Sequence, residues 1–219
     1  MITKLIALDW RATKMYHWTF IFIIPISVFF GWFFSSVFMM PLVVMYVHSN
    51  VMNAFLAEEK SDLNMLYLAM PIHRRSIVRA RYVWSLLLIV VGIAVGTAMI
   101  PIANSISNSR WYLDFGGWLT VMVISFFSCA LFNLFMLPPM FKIGYLKGKT
   151  WGIFIPIAIF MVAGGVLSAV STLGDLPIRF LSFASDNMLL VSGGIFVLGA
   201  GLFGISYMIS LRFYERRDF

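Results

Sequence analysis

Residues 15–57 read MYHWTFIFIIPISVFFGWFFSSVFMMPLVVMYVHSNVMNAFLA and contain no Lys, Arg, Asp or Glu. One helix over this stretch would be about 65 Å long, roughly twice the ~30 Å thickness of a bilayer's hydrocarbon core. The chain must therefore turn back within it, and we predict the turn at residues 31–41. The stretch then forms two membrane spans, at 16–34 and 37–56.

Four more apolar runs follow, at 82–102, 118–141, 151–172 and 189–211. Each run is continuous rather than alternating, which favours helices over strands. The chain is 61% hydrophobic and only 11% charged, whereas a soluble domain is about 25% charged. This composition excludes a soluble globular protein. We predict an all-α integral membrane protein, a single six-span domain over residues 1–219 that leaves no room for a soluble catalytic domain.

Glycines and prolines predict how these helices pack and end. Gly92 and Gly96 form a GxxxG pattern in the third span. Such a pair lets the backbone of a neighbouring helix approach closely. Pro138 and Pro139 are expected to end the fourth span, because proline cannot donate a helical hydrogen bond.

The basic residues alternate between the predicted loops. All of them except Arg110 and Arg179 fall in segments that would lie on the same side of the membrane as the N-terminus. Because cytoplasmic loops are rich in Lys and Arg, both termini are predicted to be cytoplasmic. This bias explains the net charge of +7 without nucleic-acid binding. The expected location is the cytoplasmic membrane, with the chain embedded in the lipid bilayer.

Residues 1–15 are expected to form an interfacial helix. One helical face is mostly apolar, and the basic residues lie elsewhere. The apolar face consists of Ile2, Leu5, Ile6, Trp10 and Thr13. A helix of this kind lies in the plane of the membrane surface. A simple basic anchor is the alternative interpretation.

Residues 57–81 form the most distinctive predicted cytoplasmic segment. Acidic residues come first, an apolar helical face follows, and a basic cluster comes after a break at Pro71. The acidic residues are Glu58, Glu59 and Asp62. Anionic lipid repels acids that lie directly beneath a membrane. We therefore predict a helix–break–helix hairpin that docks a partner protein, rather than an ordinary solvated loop.

A polar patch occurs in the second predicted span. These side chains could line a transport pathway or form hydrogen bonds to a neighbouring helix. The residues are His48, Ser49, Asn50 and Asn53, and Asn133 in the fourth span has the same two interpretations. No charged residue lies at the centre of a predicted span, which counts against a proton-coupled transporter.

The enzyme motifs in the chain are incomplete. Residues 148–150 read GKT, as at the end of a phosphate-binding loop, but the first glycine of that motif is replaced by Ile143. The E-E-x-x-x-R pattern of CAAX-type intramembrane proteases would begin at Glu58, but Leu63 stands in place of its arginine. The three histidines lack metal-ligand spacing. We predict no catalytic residues, no metal and no cofactor on this chain.

Three segments carry a resemblance to a known family. Residues 4–14 read KLIALDWRATK, residues 66–82 read LYLAMPIHRRSIVRARY, and residues 213–219 read FYERRDF. With a two-span hairpin after the first segment, this order resembles the permease subunits of type-2 ATP-binding-cassette (ABC) exporters. Within that family, the chain is similar to permeases that export amphipathic peptides, such as phenol-soluble modulins and bacteriocins of Gram-positive bacteria.

The resemblance implies that residues 57–81 carry a coupling helix, which rests on a separate ABC ATPase. The expected contact residues are Glu58, Glu59, Asp62, Leu66, Met70, Pro71, Arg74 and Arg75. It also implies that ATP and Mg bind to the ATPase and not to this chain. The expected assembly has two ATPase subunits and a second permease copy, either identical or different. Amphipathic peptides are the expected cargo.

Other functions remain open from the sequence. A permease of the same architecture could remove antimicrobial peptides or lipids for self-protection. A membrane scaffold or sensor that transports nothing is a second alternative. An intramembrane enzyme is the third, and the incomplete motifs disfavour it.

Overall fold

The computed structural model describes residues 2–14, 21–22, 25, 29, 36–60, 73–106, 115–150, 154 and 187–216. In chain order the helices are α1 (Ile2–Thr13), α2 (Ser36–His48), α3 (Val51–Lys60), α4 (Arg74–Ile106), α5 (Phe115–Ile143) and α6 (Met188–Glu215). Residues 145–150 are also helical, and none of the described residues is in a strand. The predicted all-α class is confirmed.

Four of the described stretches are long and apolar enough to cross a bilayer. They are Met40–Lys60, Arg74–Pro101, Phe115–Ile143 and Met188–Glu215. They correspond to the predicted second, third, fourth and sixth spans, so the chain is a multi-pass membrane protein. Nearly all of the predicted spans at 16–34 and 151–172 lies outside the described residues, as do positions 31–35 of the predicted turn. The six-span count therefore stays a prediction. The rest of the predicted turn, positions 36–41, is not a turn, because it belongs to α2.

The second predicted span is not one straight helix, because a turn at Ser49 and Asn50 separates α2 from α3. Ser49 Oγ donates to the carbonyl of Tyr46 at 2.6 Å, and Asn50 Nδ2 donates to the carbonyl of Val47 at 3.1 Å. Short polar side chains that bond nearby carbonyls compete with helical hydrogen bonds. This competition explains the break.

The GxxxG pattern of α4 lies against α2. A Cβ atom added at Gly92 would lie 3.0 Å from Val44 Cα, and one at Gly96 would lie 3.1 Å from Met40 Cγ. At Gly92 the nearest atom belongs to the backbone, so a side chain there would push the two helices apart. At Gly96 the nearest atom belongs to the flexible side chain of Met40. The basic cluster and the third span are one continuous helix, as residues 73–81 lead directly into the apolar part of α4.

The helix α5 continues past Pro138 and Pro139, so the prediction that this pair ends the span was wrong. It ends at Gly144, whose φ of 86° reverses the chain. Residues 145–150 then fold back onto α5, and a Cβ atom at Gly148 would lie only 2.8 Å from Met140 Cα. The helix α5 also packs closely against α6. The side chain of Cys129 is fully buried in α5.

Candidate functional site

Arg81 lies where α1, α3 and α4 meet, and only 2% of its side chain is exposed. Its Nη2 lies 2.9 Å from Glu58 Oε2, and its Nη1 lies 3.2 Å from Asp9 Oδ1. The guanidinium also lies over the ring of Phe55, 4.8 Å from the ring centroid. We call the three charged residues Asp9, Glu58 and Arg81 the Arg81 cluster.

The two acids of the Arg81 cluster come from different helices. Asp9 projects from the same buried face of α1 as Leu5 and Thr13, and Glu58 belongs to α3. Charges taken out of water are costly unless they pair, so the cluster holds α1 and α3 against α4. Burial raises the pKa of Asp9, and the positive charge of Arg81 offsets part of that shift.

Glu59 binds a different part of the chain from its neighbour Glu58. Its Oε2 accepts hydrogen bonds from the backbone N–H groups of Tyr145 at 2.7 Å and of Leu146 at 3.1 Å. The first N–H groups of a helix have no partner within that helix, and they attract negative charge. Glu59 therefore caps the helical segment 145–150 and connects it to α3.

Two arginines at the start of α4 bind the end of α6. Arg74 Nη1 donates to the backbone carbonyl of Glu215 at 3.0 Å, and Arg75 Nε donates to Glu215 Oε1 at 2.7 Å. The last carbonyls of a helix are unpaired and attract positive charge. This pair is open to water, since 64% of the Arg75 side chain is exposed.

A group of uncharged polar side chains lies one turn further along α4. Ser85 Oγ lies 2.9 Å from His48 Nε2 and accepts a hydrogen bond from Asn133 Nδ2 at 2.9 Å. All three side chains are buried. The group joins α2, α4 and α5, and hydrogen bonds of this kind hold helices together in a bilayer. His48 Nδ1 and Asn133 Oδ1 have no partner within the part of the chain that the structure describes.

Tyr82 connects α4 to α6 beside this group. Its Oη lies 2.6 Å from Ser206 Oγ and 2.8 Å from Ser210 Oγ. Ser206 Oγ also lies 3.0 Å from the backbone carbonyl of Asn133, to which it can donate. Hydrogen bonds therefore link α2, α4, α5 and α6 close to the Arg81 cluster.

Residues 4–215 match the family model described as ABC-2 family transporter protein. The chain belongs to this family. It is an ABC-2 type permease, a membrane component of an ABC transporter that is not itself catalytic, and its family implies an ABC ATPase as a partner. No curated protein and no solved structure matches the chain. The resemblance to ABC permeases is thus confirmed, whereas the narrower similarity to peptide exporters stays a prediction.

The permease gives internal partners to four of the residues predicted to contact the ATPase. Glu58 and Glu59 hold α3 to its neighbours, while Arg74 and Arg75 bind the end of α6. The other predicted contact residues lie outside the described part of the chain, and they are Asp62, Leu66, Met70 and Pro71. A contact between this set and the ATPase stays a prediction.

The predicted polar patch of the permease divides into two parts. His48 and Asn133 bond to the same serine of α4 and so connect different helices. Ser49 and Asn50 instead bond to the backbone of their own helix, and Asn53 Nδ2 donates to Asn50 Oδ1 at 2.9 Å. The second group therefore shapes the break between α2 and α3.

Several buried polar residues of the permease were not predicted, although the sequence carries two signals for them. Asp9 falls between Leu5 and Thr13 on a helical face that was predicted to be apolar. In a helix that lies flat on lipid, an acidic residue on the face that contacts the lipid is unfavourable. Ser206 and Ser210 are one turn apart in an otherwise apolar run, which is a pattern typical of a contact between helices.

Proposed function

We propose that this permease exports amphipathic peptides, of the phenol-soluble modulin or bacteriocin type, across the cytoplasmic membrane of a Gram-positive bacterium. Two ABC ATPase subunits would bind ATP and Mg and supply the energy. A second permease copy, identical or different, would complete the translocation pathway. The family match over residues 4–215 supports the permease role, and the amphipathic cargo rests on the resemblance described above.

The observation that carries this proposal is the anchoring of both ends of the segment 57–81. On the α3 side, Glu58 pairs with Arg81 and Glu59 caps the segment 145–150. On the α4 side, Arg74 and Arg75 bind the end of α6. A displacement of this segment would therefore be transmitted to every helix that the structure describes, directly or through one neighbour.

The proposed mechanism uses this anchoring to connect ATP hydrolysis with transport. The segment 57–81 docks on the ATPase from the cytoplasmic side, which is also where both termini lie in this proposal. Closure of the two ATPase subunits on ATP moves the docked segments. The helices tied to each segment then move as rigid bodies between packings that open to opposite sides of the membrane. Glu58 and Glu59 take part in coupling by holding the end of the segment.

Co-purification tests the proposal first. The permease, expressed in its native host and extracted in mild detergent, is expected to retain an ABC ATPase and a second permease chain. A scaffold that transports nothing would not need the ATPase. The purified complex is then placed in liposomes with a fluorescent amphipathic peptide and ATP. ATP-dependent movement of that peptide, but not of a scrambled version with no apolar face, supports export of amphipathic peptides.

Two variants of this complex test the coupling. Charge reversal at Glu58 or Glu59 is expected to weaken binding of the ATPase or to leave ATP hydrolysis without peptide movement. The control is charge reversal at Arg216, an exposed residue at the end of α6. Unchanged assembly and unchanged transport in both acid variants would contradict the proposed role of the segment 57–81.

A further inference from the structure

An apolar groove of about 480 Å³ lies between α4 and α6, with α5 as its floor. The wall on α4 is formed by Leu86, Val90 and Ile93, and the wall on α6 by Phe196, Ala200 and Phe203. Within the described part of the chain the walls of the groove are uncovered, since 57% of Val90 and 51% of Phe196 are exposed. None of the hydrogen bonds described above is made by its walls.

Each wall continues along its helix to a polar residue at one end. On α4 the spacing from Leu86 back to Arg79 is two helical turns, so both lie on the same face. On α6 the spacing from Phe203 to Tyr207 is one turn, so these two residues also lie on the same face of their helix. The two polar residues meet, since Arg79 Nε donates to Tyr207 Oη at 3.2 Å. A polar, cationic pair therefore lies beyond one end of the groove, with Arg79 about 10 Å from Leu86 along the helix axis.

Arg79 has N–H donors that its hydrogen bond to Tyr207 does not use. A guanidinium carries five N–H groups, and the bond to Tyr207 uses the single one on Nε. Arg79 is exposed, and no carboxylate among the described residues pairs with it. The neighbouring Arg75 is already paired with Glu215. The region beyond this end of the groove is thus suited to an anionic group.

The groove and Arg79 together match one leaflet of a bilayer. The groove follows α4 from Leu86 to Ile93, and Arg79 lies seven residues further along the same face. At ~1.5 Å per residue, Arg79 and the far end of the groove are about 21 Å apart. Half of a bilayer, with its headgroups, is about 20–22 Å thick. A hydrocarbon chain is thin enough to lie within the groove.

We propose that this groove binds one anionic phospholipid, with an acyl chain along the walls and the phosphate at Arg79. The lipid comes from the leaflet on the Arg79 side, which is cytoplasmic in the proposed orientation. The charge of Arg79 commits the site to an anionic headgroup. Lipid binding is measured on the permease alone, so its outcome does not depend on the proposed cargo or on the ATPase.

Native mass spectrometry of the purified full-length permease tests the site. The protein is titrated with phosphatidylglycerol, which is anionic, or with phosphatidylcholine, which is not. The wild type is expected to retain one phosphatidylglycerol at least fivefold more than one phosphatidylcholine. Ala200→Phe fills the groove from an exposed position and is expected to reduce retention of both lipids at least fivefold. Arg79→Gln is expected to bring the ratio of retained phosphatidylglycerol to retained phosphatidylcholine close to one.

The matched control is Leu198→Phe, an equally large side chain on the opposite face of α6, where 63% of Leu198 is exposed. It is expected to bind both lipids as the wild type does. Val90→Trp obstructs the groove from α4 and repeats the test if Ala200→Phe does not fold. Unchanged lipid retention in both groove variants would overturn the proposal. An unchanged lipid preference in Arg79→Gln would also overturn it. A third contrary result would be groove variants that retain lipid but no longer self-associate, since a second copy would then cover the groove.

Discussion

Two arginine–carboxylate pairs in this permease have nearly the same geometry and very different surroundings. Arg81 and Glu58 are 2.9 Å apart, with 2% and 8% of their side chains exposed. Arg75 and Glu215 are 2.7 Å apart, with 64% and 35% exposed. Water replaces a lost partner at the second site, but it cannot reach the first. Burial, and not distance, therefore decides how much the permease depends on each pair.

Arg81→Met gives the largest effect that this comparison predicts. Methionine keeps much of the length of the side chain but leaves Asp9 and Glu58 buried without a cation. Breaking a buried pair in this way costs about 3–5 kcal/mol. We expect a strong loss of thermal stability in detergent, measured by the unfolding midpoint and by size-exclusion chromatography. An unfolding midpoint close to that of the wild type would contradict the claim that the buried pair matters more to stability than the exposed pair.

Glu58→Gln sharpens the comparison by removing one charge without changing the shape of the side chain. Arg81 keeps Asp9 as a partner, so the loss should be smaller, about 1–3 kcal/mol in the free energy of unfolding. Both variants and the double variant with Arg81→Met are compared in one thermal unfolding series. Strictly additive losses would mean that Glu58 and Arg81 do not stabilise the fold through each other.

Asp9→Asn is expected to be milder than Glu58→Gln. Burial raises the pKa of Asp9 above its unfolded value, so folding disfavours its ionised form. The part of the stability that depends on protonation of Asp9 is therefore complete below the unfolded pKa and is lost as the pH rises through the folded pKa. At neutral pH the loss in Asp9→Asn should be small, because asparagine avoids the cost of burying an ionised carboxylate and Arg81 keeps Glu58 as its partner. Unfolding midpoints measured from acid to neutral pH should fall more steeply with rising pH in the wild type than in Asp9→Asn.

Arg75→Met should give the smallest effect, because both partners of the exposed pair regain water. We expect an unfolding midpoint that cannot be distinguished from that of the wild type, measured beside Arg81→Met under the same conditions. A loss as large as that of Arg81→Met would show that the link between α4 and α6 matters as much as the buried cluster.

The sequence predicted the four described spans, because an apolar run of ~20 residues has few stable alternatives to a membrane helix. Their bounds agree within about four residues, except that the third begins about eight residues earlier, at Arg74. It did not predict the break at Ser49 and Asn50, since side-chain bonds to nearby carbonyls leave the hydropathy unchanged. The α5 prolines were misjudged because a membrane helix can satisfy the freed carbonyls through neighbouring groups.

The site was harder to predict than the spans. Arg81 belongs to a run of arginines that positive-inside bias explains equally well. What distinguishes it is contact with Asp9 and Glu58, and Glu58 is 23 residues away along the chain. Hydropathy and charge counts compare residues that are close in sequence, so they cannot detect a contact between distant residues. The sequence therefore predicted a docking role for Glu58 without its contact with Arg81, and the docking role itself stays a prediction.

The burial of Cys129 has a practical consequence. It is the chain's single cysteine, and its side chain is inaccessible to water. Thiol-reactive reagents that stay in water will therefore find no native target on the folded permease. A cysteine introduced at any exposed position can report its side of the membrane, or its distance to a partner chain, on an otherwise unaltered protein.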